Sequence, residues 1–404
     1  MSTSLLYHGF GIRGYQYVKT DYEGEKVIFT VRQRPQNLRC AACGSRHVVR
    51  RGSQLRRFRS LPIGCRPVQA VLEVPRLGCG DCGAVRQVPV GFADERRSYT
   101  KAFERYVLEL SRHMTIRDVG RHLQVGWDVV KDIQKRSLSK RFRHIRLKHL
   151  RQIAIDEIAV GRGHRYLTVV LDWVSGAVVF IGDGKGAEAL EPLWARLKRA
   201  HARIEAVASD MSPAYISAVL THLPKAVLVF DHFHVIKLFN EKLSNLRRDL
   251  YREATEKLHK DVLKGTRWLL LKNPENLDAT RNESKRLHEA LMLNQPLAMA
   301  YYMKDDLRRV WEQPDKEAAQ RVLDAWVRRG EASGIRILIK FAQTLAAHRN
   351  SILNYYDYRI STGPLEGTNT KIRVLQRQAY GFRDTEFFKL KIYALHESRY
   401  QLVG

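Results

Sequence analysis

Four of the five cysteines sit in two Cys-x-x-Cys-Gly turns, Cys40-Ala41-Ala42-Cys43-Gly44 and Cys79-Gly80-Asp81-Cys82-Gly83. Such a turn presents two thiolates to one ion from a tight knuckle, and the glycine relieves the backbone. Two knuckles supply four sulfurs in a tetrahedron, the ligand set of structural zinc. Cys40, Cys43, Cys79 and Cys82 are therefore expected to hold one Zn²⁺. The 35 residues between the pairs suit a ribbon with strands running between the knuckles. A redox Cys-x-x-Cys fits less well, because there are two pairs and no thioredoxin-like βαβ pattern. Cys65 lies inside the gap without a partner and reads as a buried small hydrophobe.

A second group of chemically capable residues is acidic. Gln152-Ile153-Ala154-Ile155-Asp156-Glu157 reads as a strand whose end presents an acid. Strand alternation sends Asp156 and Glu157 to opposite faces, so only one can point into a shared site. Asp210 ends a strand running from Ile204, and with Ser212-Pro213 behind it could merely sit near a helix start. Asp231-His232-Phe233-His234 places two histidines at i and i+2, a poor arrangement for one ion on a strand or a helix. Asp231 ranks below Asp210 as a site acid. Glu366 lies beside an apolar stripe, Leu365, Thr368, Ile372, Leu375 and Ala379. Thr370, Arg373 and Arg377 follow on its own side, so an acid and a basic row would share one helix flank. Glu386 belongs to a different helix, beyond Tyr380-Gly381-Phe382, and Glu397 lies near the end of the sequence.

The elements that position these acids follow from periodicity. Tyr166–Leu171 and Ala177–Ile181 read as strands joined by a short turn. Helical Glu188–Ala200, the strand Ile204–Ala208, a helix from Pro213 to Leu220 and the strand Val227–Asp231 come next. The order βββ-α-β-α-β-α is that of a ribonuclease H-like fold. Residues 241–350 read as almost wholly helical, with a break near Asn273-Pro274. Trp268, Trp311 and Trp326 in that stretch read as core.

Upstream, residues 100–112 place Phe103, Val107 and Leu110 on one helical face. Thr115 with Asp118 marks the start of a second helix. After the turn Gln124-Val125-Gly126, a third helix runs from Trp127 to Arg136. This is a helix-turn-helix pattern, whose last helix enters the major groove of DNA. A basic run to Lys148 could track phosphates beside it. Trp127, Lys131, Lys135, Arg136, Arg141 and Arg143 are the expected DNA contacts there, with Arg373 and Arg377 in the C-terminal region.

The charge agrees with a polyanionic partner. The 404 residues carry 70 Lys+Arg and 42 Asp+Glu, a formal +28. Residues 1–150 hold 30 basic and 12 acidic residues, an excess of 18, and the other 254 carry only 10 more. Double-stranded DNA is the expected partner, gripped chiefly by the first third of the chain. No apolar run has the length of a membrane span, and the N-terminus lacks signal-peptide features. A cytoplasmic, nucleoid-associated protein is expected.

The sequence resembles the DDE transposases of bacterial insertion sequences, most closely the type called ISL-three. The resemblance covers nearly the whole chain. It rests on the two CxxCG turns, Ile155-Asp156-Glu157, Ser209-Asp210-Met211, Asp231-His232-Phe233-His234-Val235 and Ser361-Thr362-Gly363-Pro364-Leu365-Glu366-Gly367-Thr368-Asn369. It implies a core interrupted by a helical insertion between the second Asp and the Glu. It also implies that Asp156, Asp210 and Glu366 hold two Mg²⁺ (or Mn²⁺) ions for strand cleavage and strand transfer at the element's terminal inverted repeats. At least a dimer would act on the DNA. The expected domains are a zinc-binding β domain (1–95), a helix-turn-helix with basic linker (96–150), the first part of the core (151–240), the helical insertion (241–350) and the C-terminal core helices (351–404).

Overall fold

A computed structural model describes residues 4–397 apart from Arg162, His164 and Glu256. The chain divides into two compact units, one up to Arg143 that also includes Glu397, and one from His144 to His396. It is a mixed α/β multidomain protein, and no described helix is long and apolar enough to cross a membrane.

The first unit opens with a helix the sequence reading did not find, α1 (Leu5–Phe10). Strands β1 (Tyr15–Glu23), β2 (Lys26–Gln33), β3 (Val48–Ile63) and β4 (Arg66–Cys79) then form a sheet in the order β1-β2-β4-β3, and β5 (Val85–Gln87) pairs with the end of β4. Alternation on β4 sends Val68, Ala70, Leu72 and Val74 into one core with Phe58, Leu6, Phe10 and Ile12. Cys65 is exposed, not buried: it lies in the tight β3–β4 turn, where neither neighbouring strand covers it.

Three helices complete this unit: α2 (Lys101–Leu110), α3 (Ile116–His122) and α4 (Trp127–Phe142). Thr100 caps α2 and Thr115 caps α3, each accepting from the amide three residues on. Phe103, Val107, Val119, Leu123, Val130 and Ile133 form their common core. The third helix continues six residues past the expected end, so Lys140 and Arg141 of the basic run are helical.

The second unit is built on strands β6 (Gln152–Gly161), β7 (Arg165–Asp172) and β8 (Val178–Asp183), helix α5 (Glu191–Arg199), strand β9 (Ala206–Ser209), helix α6 (Pro213–His222) and strand β10 (Val227–Phe230). The sheet order is β10-β9-β6-β7-β8; β6, β9 and β10 run parallel, while β7 and β8 are antiparallel. Helix α7 (His232–Glu253) leads into a helical stretch: α8 (Lys257–Gly265), α9 (Arg267–Leu271), α10 (Glu283–Leu293), α11 (Gln295–Arg308), α12 (Lys316–Glu331), α13 (Arg336–Ala347) and α14 (Arg349–Leu353). Helices α15 (Gly363–Gln378) and α16 (Thr385–Tyr393) return to the sheet.

Odd residues Ile153, Ile155 and Val207 share a core with Leu193, Trp194, Tyr215 and Val219 of α5 and α6. Even residues Ala154, Ile158 and Ala208 share one with Ile372, Phe388 and Ile392 of α15 and α16. The helical stretch has its own aromatic centre, Phe239, Trp326 and Phe341. Trp311 is half-buried, but Trp268 is 66% exposed on the five-residue α9 and is not core.

Candidate active site

The register of the parallel strands places the first two acids. On β6 and β9, Gln152 pairs with Ala206, Ile153 with Val207 and Ala154 with Ala208. Continuing two residues brings Asp156 level with Asp210, and paired residues of adjacent strands face the same way. That face is the one α15 covers, because Ala154 and Ala208 point there. Asn369 of α15 donates its Nδ2 to Asp156 Oδ2 at 2.8 Å. Glu157 takes the opposite face, as alternation requires, together with Ile153 and Ile155. Of the adjacent acids, Asp156 is the one beside α15.

Burial is the main cause that raises the Asp156 carboxyl above its usual range, with His234 opposing and Asp210 adding to the rise. Glu157 is also raised, first by burial and then by Asp210 and Asp156. Asp210 Oδ1 accepts from Ser212 N at 3.0 Å, the local turn bond that would suffice for a purely structural role. Its neighbourhood with Asp156 is what that role does not explain.

Glu366 is exposed in the first turn of α15, three residues before Asn369. Residues three apart are neighbours on a helix surface, so Glu366 stands one turn from the residue that holds Asp156. The oxygens of Asp156, Asp210 and Glu366 are not all within 4.8 Å of one another. Leu365 and Ile372 are buried and Thr368 and Leu375 half-buried, whereas Ala379 is exposed beyond the helix end. Thr370, Arg373 and Arg377 are exposed along the same flank as Glu366.

The sequence singles out Asp231 and His234, but not their tie to Thr362 or the brace from Trp173. Asp231 caps α7 by accepting from Phe233 N, is only 2% exposed, and accepts a hydrogen bond from the Thr362 hydroxyl. His234 Nδ1 lies 3.4 Å from Thr362 Oγ1 and 3.5 Å from Asp231 Oδ2. Asp231 therefore ties the beginning of the helical stretch to the residue before α15. Trp173, in the β7–β8 turn, braces the same loop by donating to Ser361 O at 3.1 Å. The sequence signal was available in the Thr362 and Asn369 positions of the quoted motif, both buried polar residues.

Thr362→Val removes the hydroxyl donor and leaves a buried carboxylate acceptor short of a partner. Catalytic activity is expected to fall roughly 10–100-fold, the usual effect of losing a supporting partner. Thr362→Ser should restore most of it. Equal cleavage by the Val and wild-type proteins would show that the tie does not position α15.

In the first unit the four cysteines converge. Their sulfurs all lie within 4.8 Å of one another, with Cys40–Cys82 at 3.6 Å and Cys43–Cys79 at 3.5 Å. A tetrahedral zinc with Zn–S of about 2.3 Å has S···S edges of about 3.8 Å. The two knuckles match: Gly44 N donates to Cys40 O and Gly83 N to Cys79 O, and both glycines have positive φ, 77° and 68°. The backbone amides of Cys43 and Ala42 lower the Cys40 thiol to about 6. The cluster is a metal-binding arrangement compatible with zinc.

On α4, Trp127 is 61% exposed at the helix start, Lys131 and Lys135 are half-buried, and Arg141 and Arg143 are exposed. Arg136 departs from expectation. Its guanidinium is 2.9 Å from Glu104, 3.5 Å from Asp132 and 3.8 Å from Asp94. Three carboxylates hold it inside the unit, so it packs the helices together rather than reaching for DNA.

A helix-turn-helix joined to an α/β unit with one acid in its middle strand and another at the end of the neighbouring strand describes a DNA-processing protein. Residues 153–392 match the DDE transposase model of the ISL3 type and residues 88–138 match the helix-turn-helix domain of transposase family ISL3, so the chain belongs to the ISL3 family of transposases. It is 33% identical to the transposase for insertion sequence element IS1001 of Bordetella parapertussis over 393 residues, 96% of this chain and 95% of that one. It is 32% identical over 391 residues to the transposase for IS1557 of Mycobacterium tuberculosis, 90% of this chain and 87% of that one. The protein is a DNA transposase, an enzyme that acts on DNA.

Proposed function

We propose that this transposase binds the terminal inverted repeats of its own element and cuts and rejoins DNA with two Mg²⁺ (or Mn²⁺) ions held by Asp156, Asp210 and Glu366. The register that sets Asp156 level with Asp210, under a helix that carries Glu366, is the observation that supports this most. The strand order supports a ribonuclease H-like core interrupted by the helical insertion. The donor set is all hard oxygen, which suits Mg²⁺. Asn369 adds a buried Oδ1 with no hydrogen-bond partner among the described residues, beside Asp156.

Two such ions, when bound, activate an attacking oxygen and stabilise the leaving one in an in-line displacement at phosphorus. Asp156, from the middle strand, would face both ions. Asp210 and Glu366 would each complete one. Asn369 keeps the Asp156 carboxylate turned toward α15, and His234 and Lys237 offset the mutual repulsion of the acids.

The same reading assigns one structural zinc to Cys40, Cys43, Cys79 and Cys82. The domains would be the zinc-binding domain (1–95), the helix-turn-helix and linker (96–150), the divided core (151–240 and 351–404) and the insertion (241–350). Trp127, Lys131, Lys135, Arg141, Arg143, Arg373 and Arg377 would contact DNA. Action on two element ends calls for at least a dimer on nucleoid DNA.

The test uses a duplex carrying the element's end. The wild-type protein should nick it in Mg²⁺, and Asp210→Asn should bind with unchanged affinity but cleave at least about 10²-fold more slowly. Cleavage by Asp210→Asn at the wild-type rate would reject the assignment of this acid.

A further inference from the structure

Near its knuckles the first sheet narrows to three strands. β2 pairs with β4 only over Val68–Leu72, and β5 joins β4 only over Arg76–Gly78, so beyond Pro75 the sheet is β3-β4-β5 alone. Residues 49–55 of β3 are all exposed, on both faces of the strand. This end of the sheet is a narrow finger in which that stretch of β3 is exposed throughout, and the buried Val74, Leu77 and Cys79 lie on the central strand β4.

The finger is basic. Residues 39–55 and 73–87 hold six arginines, Arg39, Arg46, Arg50, Arg51, Arg76 and Arg86, against Glu73 and Asp81. All six are exposed, and none is ion-paired among the described residues. Both acids already accept hydrogen bonds, Glu73 from Ser53 and Asp81 from Ser45. A zinc tetrathiolate carries a formal −2, which still leaves the finger positive.

The arginines occupy defined places. Arg50 and Arg86 flank Leu77 as its partners on the two neighbouring strands, so the three share one face. Arg51 lies across Gly78 on the other face, where any Cβ would meet its Cγ at 3.2 Å. A narrow β finger with guanidinium groups on both faces fits between the phosphate-lined walls of a DNA groove, since the major groove admits a β-ribbon.

The other end of β3 carries the helix-turn-helix. Arg59 Nη2 donates to Leu123 O at the end of α3, and Arg59 pairs with Tyr99 in front of α2. From Arg50 to Arg59 is nine residues of β3, but a bulge lies between Arg50 and Ser53, and the paired stretch of β4, Leu77 to Gln69, is eight residues, about 26 Å at ~3.3 Å per residue. One turn of B-DNA is about 34–36 Å.

We propose that the knuckle finger is a second DNA-contacting element, and that β3 is a spacer setting it within one helical turn of the helix-turn-helix on the same duplex. This rests on the DNA-binding role of the helix-turn-helix and adds a separate partner surface. The finger would grip phosphates, and the helix-turn-helix would read bases.

The experiment compares the full-length wild-type protein with an Arg50→Ala/Arg51→Ala/Arg86→Ala variant. Zinc content and thermal unfolding confirm that the variant is folded. On a random-sequence duplex, the variant's log Kd against log salt should be shallower by about 1 per arginine, and its affinity should be roughly 10²-fold weaker at 0.1 M salt. Hydroxyl-radical footprinting on the element's end should show two protected patches within one turn of each other with wild type. The variant should lose one patch and keep the other, and Trp127→Ala/Lys131→Ala should do the converse. An unchanged salt slope on random duplex overturns the finger as a DNA contact. A single wild-type patch, or two more than one turn apart, overturns the spacer. The random-duplex result stands whether or not the protein prefers its element's end, so failure of end recognition is separable from failure of this proposal.

Discussion

Glu366→Gln is expected to abolish strand cleavage in Mg²⁺ and to leave DNA binding intact. The amide keeps the size and polarity of the side chain but removes the charge that would hold a cation. Losing several kcal/mol of transition-state stabilisation corresponds to about 10²–10⁴ in rate. The fold should survive, because Glu366 is exposed and its helix is anchored by Leu365, Asn369 and Ile372, all buried. A carboxylate serving only as a first-turn residue would contribute at most about 1 kcal/mol through the helix dipole, with no effect on the chemistry. Cleavage and binding measured side by side on one end duplex decide between these, and wild-type cleavage by the Gln variant would return Glu366 to the structural role. Glu386→Gln should cleave normally, since Glu386 opens the separate helix α16.

The second large effect concerns the cysteines, and its extent along the sheet can be stated. Cys79→Ser should reduce bound zinc from about one ion per chain to nearly none. Structural zinc contributes about 10–16 kcal/mol of apparent binding free energy in small domains, and that energy is folding energy. Here it should act locally. Phe58, Val68, Ala70 and Leu72 belong to an apolar core of their own, whereas residues 49–55 are exposed throughout. Amide hydrogen exchange should therefore lose protection over 40–53 and 76–87 and keep it over 58–72. Loss over the whole sheet would mean that the core depends on the metal; no loss would mean that the sulfurs hold no structural ion. Cys65→Ser should leave zinc and exchange unchanged, because Cys65 is exposed in the hairpin turn.

Several features of the site could be read from the sequence for physical reasons. The CxxCG spacing encodes a local knuckle, and two local knuckles need only an antiparallel strand pair to meet. Val48 pairing with Cys79 supplies it. Thr115 and Asp118 encode a cap within four residues, and it forms as expected. Asp156 and Asp210 could be aligned because the first lies on an apolar strand and the second just past the end of one. What could not be read depends on tertiary partners. Arg136 looks like the other basic residues of α4 until Glu104, Asp132 and Asp94 are seen around it. Asp231 was ranked as an edge acid because its bond to Thr362 spans most of the second unit. Trp268 looks like core by type, but the short α9 turns it outward. Cys65 reads as a buried hydrophobe when the turn it occupies is unknown.

The hydrogen bond between Asp231 and Thr362 closes a chain excursion of 131 residues. Loop-closure entropy grows only with the logarithm of length, so an excursion this long costs about 2 kcal/mol more than a ten-residue turn would. Its helices also form a core around Phe239, Trp326 and Phe341, and a folded insert brings its own ends together and removes part of that cost. To the strand core, then, the number of residues between β10 and α15 matters little. The two points where the excursion leaves and rejoins are the constrained ones, and a buried carboxylate and hydroxyl hold them together, with Trp173 bracing the returning loop.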